Sequence, residues 1–301
     1  MSLPTEGGRA PFLGFETWYR IVGDLVPGED GPAPVVLLHG GPGATHDYLA
    51  PLAELAREGR AVVFYDQLGN GHSSHLPSRG SEFWTVQLFL DELANLLNHL
   101  GITERYHILG QSWGGFLAQE HALTQPGGLL SLVLSNTAAS FPDFVAEADK
   151  LRQDLPPEVQ ATLLRHEAAG TTDDPEYRDA CDVFYHRHLC RLDPWPDGVS
   201  EGLAQIDADP TVYHTMNGPS EFHVIGSIKD WSAEERLGEI RLPTLLLSGR
   251  YDEATPALQD VLRRGIAGSH QVIFENSSHL PFWEEPDAYL AVVGEWLRQH
   301  D

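Results

Sequence analysis

The residues most capable of chemistry begin with a serine set between glycines, Gly110-Gln111-Ser112-Trp113-Gly114. A free hydroxyl is a weak nucleophile and needs an adjacent base, which in turn needs a carboxylate to orient it. G-x-S-x-G supplies the nucleophile when a strand precedes it and a helix follows at once. "YHILG" before it and "FLAQEHAL" after it read in that way. The helix N-terminus then also favours negative charge developing near Ser112. The expected partners follow in the order Ser, Asp, His. Asp252 lies just past a strand end in "LLLSGRYDEATP", and His279 lies in the loop after the last strand, in "VIFENSSHLPFWEEP". The other histidines, His107, His121 and His270 among them, read as surface or satisfied structural residues.

Acyl transfer also needs two N–H donors for the oxyanion. One is expected from Trp113, which follows the nucleophile, and the other from the loop after an early strand. "HGGPG" (39–43) occupies that place, and its glycines free the backbone to approach a reacting carbonyl closely, with Gly41 as the expected donor. A phosphate-binding loop is excluded, because no G-K-[ST] follows. Only neutral imidazole is a base, so the rate should rise as His279 loses its proton.

Positioning these groups requires a sheet. "PVVLLH" (34–39), "AVVFYD" (61–66), "YHILGQ" (106–111), "LLSLVLSN" (129–136), "PTLLLSGRYD" (243–252) and "HQVIFEN" (270–276) are short, mostly apolar runs bounded by turn-forming or polar residues. Continuous apolar strands alternating with helical segments predict a parallel sheet covered on both faces. "EFWTVQLFLDELANLLNHLG" and "DAYLAVVGEWLRQH" have helical spacing, and "FETWYRIVGDL" (15–25) predicts an opening strand or hairpin. From 137 to 240 no buried-strand run appears, only helical pieces cut by Pro, Gly and Asp. The expected organisation is an α/β core from 1–136 and 241–301, with 137–240 as a helical cap over the sheet's C-terminal edge, where open α/β sheets bind ligands. The cap's Phe141, Phe144, Val145, Phe184 and Trp195 either line a pocket or form its own core.

The 301 residues carry 19 basic and 44 acidic side chains, a formal charge of −25. That argues against nucleic acid or an anionic membrane as partner, because both need a basic face. No apolar run approaches the roughly 20 residues of a membrane span. "MSLPTEGGRAPFLGFE" lacks the basic and apolar regions of a secretory signal, so a cytoplasmic protein is expected. "CDVFYHRHLC" holds Cys181, His186, His188 and Cys190. On a helix its cysteines fall on sides about 180° apart, so neither a metal site nor any cofactor is expected.

"HGGPG", "YDQLGNGHSS", "GQSWGG", "MNGPSEF" and "GRYDEATP", in that order, resemble the proline iminopeptidase family of α/β-hydrolases. The resemblance spans about 35–290 and implies metal-free removal of an N-terminal prolyl or small aminoacyl residue from an amide. The partner it implies is a small peptide or aminoacyl amide with a free amino group. It also makes Glu221 and Glu253 the carboxylates that pair with the substrate's ammonium, although Ser220 stands where related sequences often carry asparagine. Two acids in a closed pocket do call for a cation between them. Asp66, Gln67, Gly69 and Gly71 read as loop architecture. Three other readings stay open: an amidohydrolase removing an aminoacyl protecting group from a biosynthetic intermediate such as a polyketide amide, a general amidase or esterase, and a non-catalytic ligand-binding protein of the same fold.

Overall fold

The computed structural model describes residues 3–25 and 31–301. Its centre is one eight-stranded sheet in the order β1-β2-β4-β3-β5-β6-β7-β8. The strands are β1 (Thr5–Phe12), β2 (Phe15–Val22), β3 (Val35–Leu38), β4 (Val62–Tyr65), β5 (Tyr106–Gln111), β6 (Leu129–Ser135), β7 (Thr244–Gly249) and β8 (His270–Phe274). β1 and β2 form an antiparallel hairpin, β2 pairs antiparallel with β4, and all later pairings are parallel. The opening segment is therefore a hairpin, and its outer strand "TEGGRAPF" gave no pattern because most of it is exposed.

The helices are α1 (Val86–Leu100), α2 (Trp113–Leu123), α3 (Phe141–Arg152), α4 (Pro157–Ala169), α5 (Pro175–His188), α6 (Asp197–Ala208), α7 (Thr211–Met216), α8 (Pro256–Gly265), α9 (Pro281–Glu284) and α10 (Pro286–Gln299). A 3₁₀ segment, Asp47–Glu58, follows β3 with Pro51 inside it, and Glu234–Glu239 is another. β3, β4 and the interior of β7 are buried on both faces, which is why their sequences read as unbroken apolar runs. Val36, Leu38, Ile108, Leu134 and Leu246 pack on one face with residues of α1, α2 and α8. Val35, Leu37, Leu109, Val133, Leu245 and Leu247 pack on the other with α10 and the Asp47–Glu58 segment.

Five helices, α3 to α7, run between β6 and β7. Leu163, Tyr177, Ala180, Cys181, Phe184 and Phe222 form a separate small core among them. Phe184 is thus internal to this layer, while Phe141 and Phe144 join the sheet-side core. Cys181 and Cys190 are both free and sit in different cores, and the His186 ring stacks on Trp195. No helix among the described residues is long and apolar enough to cross a membrane.

The chain leaves β3 toward β4 on one side and β5 toward β6 on the other. The C-terminal ends of β3 and β5 therefore flank the point where the winding direction reverses, the usual position of a ligand crevice. His39–Gly43 and Ser112 stand at these two ends.

Candidate active site

Ser112 sits between β5 and α2 with φ 55° and ψ −124°. A non-glycine residue in this region is strained by about 1–3 kcal/mol, and the surroundings must enforce it. The flanking glycines show how. A Cβ on Gly110 would lie 2.2 Å from the Gly114 carbonyl oxygen, and one on Gly114 would lie 2.0 Å from the Leu38 carbonyl oxygen. Only glycine lets α2 close against the ends of β3 and β5 and hold Ser112 at the apex.

His279, in the loop after β8, has its Nδ1 2.6 Å from Asp252 Oδ1. Asp252 follows β7 and is held in turn: its Oδ1 accepts the Ala254 N–H at 2.9 Å, and its Oδ2 accepts from Asn136 Nδ2 at 2.6 Å. Asn136 itself is fixed by Ser135 Oγ at 2.6 Å, and Tyr289 donates to that same oxygen at 2.9 Å. Burial pushes the His279 imidazole toward its neutral form, but Asp252, Glu253 and Glu221 outweigh burial and carry its pKa up to about 9.

The glycine loop meets the serine turn through Tyr48 and Gln67. Gly40 donates its N–H to Tyr48 Oη at 2.6 Å, and Gly41 lines the cavity beside Ser112. Tyr48 donates to Gln111 Oε1 at 2.6 Å, and Gln111 Nε2 donates to the His279 carbonyl at 3.3 Å. Gln67 donates its N–H to His39 Nε2 at 2.9 Å and its side-chain amide to the His39 carbonyl at 3.1 Å, while accepting from Trp113 Nε1 at 2.9 Å. One glutamine thus ties together both segments expected to bind an oxyanion. Asp66 fastens the neighbouring loop by accepting the N–H groups of His46 and His72, both at 2.9 Å.

Two spaces border Ser112, and a third adjoins them through shared lining residues. A cavity of about 60 Å³ is lined by Gly41, Ser112, Glu221, His279 and Leu280. A narrow one of about 10 Å³ lies among Ser112, Trp113, Phe116, Phe141, Phe144 and Glu221. The widest, about 460 Å³, lies between α5, α6 and α7 and shares Leu189, Leu203, Ile206 and Glu221 with the first.

Glu221, after α7, borders all three spaces and accepts a hydrogen bond from Tyr213 Oη at 2.7 Å. Tyr213 also packs on the glycine loop, where a Cβ on Gly43 would fall 2.9 Å from its Cβ. Ser220 lies 3.0 Å from Tyr177 Oη, Oγ to Oη, so the residue before Glu221 is anchored to α5. Glu253 is buried, and neither carboxylate oxygen has a hydrogen-bond partner among the described residues. Its Oε1 lies 3.6 Å from His279 Nε2. Burial raises the pKa of both glutamates, that of Glu253 well above the ordinary value.

Of the seven residues singled out from the sequence, Gly41, Ser112, Trp113, Asp252 and Glu253 stand just past β3, β5 and β7, and His279, after β8, and Glu221, after α7, join them there. Tyr48, Gln111, Asn136 and Tyr213 were not singled out, because a tyrosine or an amide carries no local signal of a partner tens of residues away. Among the described residues, the grouping of three metal-ligating side chains is His166, Asp174 and Glu176, remote in sequence from the site. Arg165 already pairs with that Glu176 at 2.7 Å.

The sequence matches the α/β hydrolase fold family over residues 33–286. It is 40% identical over 298 residues to a proline iminopeptidase of Saccharolobus solfataricus, covering 99% of this chain and 94% of that protein. Among solved structures, the crystal structure of VinJ superposes with a TM-score of 0.95 at 51% identity, covering 98% of this chain and 99% of the other. The proline iminopeptidase of Mycobacterium smegmatis does so with a TM-score of 0.90 at 45% identity, covering 98% of each chain.

Proposed function

The chain belongs to the proline iminopeptidase family of α/β hydrolases, and from that premise we propose a serine aminopeptidase that removes an N-terminal prolyl or small aminoacyl residue. Ser112 attacks the carbonyl carbon of the first residue while His279 Nε2 takes its proton. Asp252 holds the imidazole at Nδ1 and stabilises the imidazolium. The Gly41 and Trp113 N–H groups bind the oxyanion, and loss of one such donor costs about 3 kcal/mol of transition-state stabilisation. His279 then protonates the leaving amine, and an aminoacyl-enzyme remains. Water, activated by the same imidazole, releases the free amino acid.

The observation that carries this reading is Glu253, a buried carboxylate without a hydrogen-bond partner among the described residues, near Glu221 and the His279 imidazole. Such a group is costly unless a cation meets it. The free α-ammonium of an N-terminal residue is that cation, and its carbonyl carbon is then close to Ser112. Residues 137–240 serve as the cap over a core of 1–136 and 241–301. The partners are small peptides or aminoacyl amides with a free amine, in the cytoplasm, with neither nucleic acid nor a membrane involved, in keeping with the charge of −25. The full-length similarity to proline iminopeptidases does not favour the protecting-group amidohydrolase or the general amidase or esterase.

Release of p-nitroaniline from prolyl-, alanyl- and N-acetylalanyl-p-nitroanilide tests the reading. Cleavage of the two free-amine substrates only is expected. Equal cleavage of the acetylated one would remove the roles given to Glu221 and Glu253.

A further inference from the structure

The nitrogen that must accept the Ser112 proton, His279 Nε2, faces the Glu253 carboxylate at 3.6 Å, while Nδ1 is committed to Asp252. His279, Asp252 and Glu253 are all buried. The groups facing the imidazole come from several elements. Asp252 and Glu253 follow β7, and Glu221 follows α7. His188, at the end of α5, is pushed toward neutrality by burial and bonds the Tyr251 carbonyl at 2.9 Å. Tyr185 and Tyr213 are kept as neutral phenols by burial, and the Gln111 amide is uncharged. The balance is three acids against one imidazole.

Two buried carboxylates and a part-buried third with no counter-charge would be prohibitively costly. Without a substrate the cheapest remedy is a proton held on one of the groups. Among the described residues Glu253 has no hydrogen bond to stabilise its anion, and it lies 3.6 Å from Nε2, so these two groups titrate together as a pair. With Asp252 at Nδ1 and Glu253 facing Nε2, the imidazole is flanked by acids on both nitrogens, and a proton held on Nε2 occupies the lone pair that Ser112 needs.

We propose that the unliganded site stores one proton on the Glu253–His279 pair, and that the substrate's α-ammonium, entering between Glu221 and Glu253, displaces that proton to solvent. The cation thereby frees the base that cleaves its own amide bond. One positive charge enters and one leaves, solvent takes the proton, and no other bond changes. This rests on the reading of Glu221 and Glu253 as the amine-binding carboxylates. Amine selectivity is then exerted twice, in binding and in the protonation state of the base. An amide that lacks the amine meets a blocked Nε2 even at saturation.

The test is calorimetric binding of prolinamide to the Ser112→Ala protein at pH 7, in buffers of differing ionisation enthalpy. About one proton released per ligand is expected, with affinity rising about tenfold per pH unit between pH 6 and 7.5. In Ser112→Ala/Glu253→Gln the release should vanish while weaker binding persists. Prolinamide binding without proton release, or release that survives Glu253→Gln, would overturn the proposal and leave the amine clamp standing. Equal binding of N-acetylprolinamide would overturn the clamp and the proposal together. In the wild-type enzyme the acid limb of kcat/KM should lie at least about one pH unit above that of kcat, because the first reports the free enzyme and the second the complex. Coincident limbs would contradict the stored proton.

Discussion

On one side of Ser112 the space closes to about 10 Å³ against Phe116, Phe141 and Phe144, while on the other it widens through about 60 Å³ to about 460 Å³. The narrow side is tightly packed: Phe116 and Phe141 stack at 4.3 Å between centroids, and Trp231 meets Phe116 edge-on at 4.9 Å. A space of about 10–15 Å³ holds roughly one water, so on that side the aromatic wall stands close against Ser112. The wide side is bordered by Asp173, Arg178, Asp182 and Asp207, all exposed. The difference teaches where selectivity is built. On our reading the prolyl ring or alanyl methyl meets the aromatic wall, its amine meets the glutamates, and the remainder of the substrate lies where little constrains it.

Five changes would break or sharpen that contrast, beginning with the strongest. Ser112→Ala abolishes the centre shared by both sides, so kcat should fall at least about 10³-fold on every substrate. A loss under tenfold in p-nitroanilide assays would mean that another group attacks. Next comes pH. The His279 pKa is raised from 6.5 to about 9, so neutral imidazole accumulates only as pH climbs. kcat/KM for prolyl-p-nitroanilide should therefore rise about tenfold per unit from pH 7 toward 9. A plateau from pH 6.5 upward would place the base outside this acidic cluster.

Glu221→Gln keeps the shape and removes a charge, and steady-state kinetics should show KM for free-amine substrates rising about 10- to 100-fold, the worth of a charged hydrogen bond. Phe144→Ala enlarges the narrow side. It should raise leucyl relative to alanyl cleavage about tenfold and cost about 3 kcal/mol in denaturant unfolding. Ile206→Trp, in the wide side, should change prolyl-p-nitroanilide cleavage less than about threefold while slowing longer peptides more, which parallel assays of the two substrates would show. If Ile206→Trp had the larger effect on small substrates, the contrast would be inverted.

The legibility of this site followed chain distance. Ser112, its glycines and the "HGGPG" loop signal themselves within a few residues, because local backbone strain demands those residue types. Asp252 and His279 were legible because each follows a strand whose apolar run is unmistakable. Glu221 and Glu253 became legible only through the family resemblance, since nothing local separates them from solvated glutamates. Gln67 read as loop architecture. It does build the loop, yet it also bonds Trp113, 46 residues on. Asn136 reaches Asp252 across 116 residues, and no spacing rule covers that. β1 was hidden by its exposure, and the Asp47–Glu58 segment by Pro51 and its 3₁₀ geometry, although Tyr48, Leu49, Leu52, Leu55 and Ala56 bury a full side. Phe141 and Phe144 could not be told from cap core by sequence, and they do both, lining the narrow space while packing on the sheet side.

The contrast itself is tested most directly by one substrate matrix for the wild-type enzyme. The first residue is held as proline while the leaving group runs from p-nitroaniline to a tetrapeptide, and each member is measured with a free and with an acetylated amine. On this account acetylation lowers kcat/KM at least about 10²-fold throughout, whereas changing the leaving group alters it less than about tenfold. A leaving-group effect larger than the acetylation effect would contradict a site that measures the amine side and tolerates the rest.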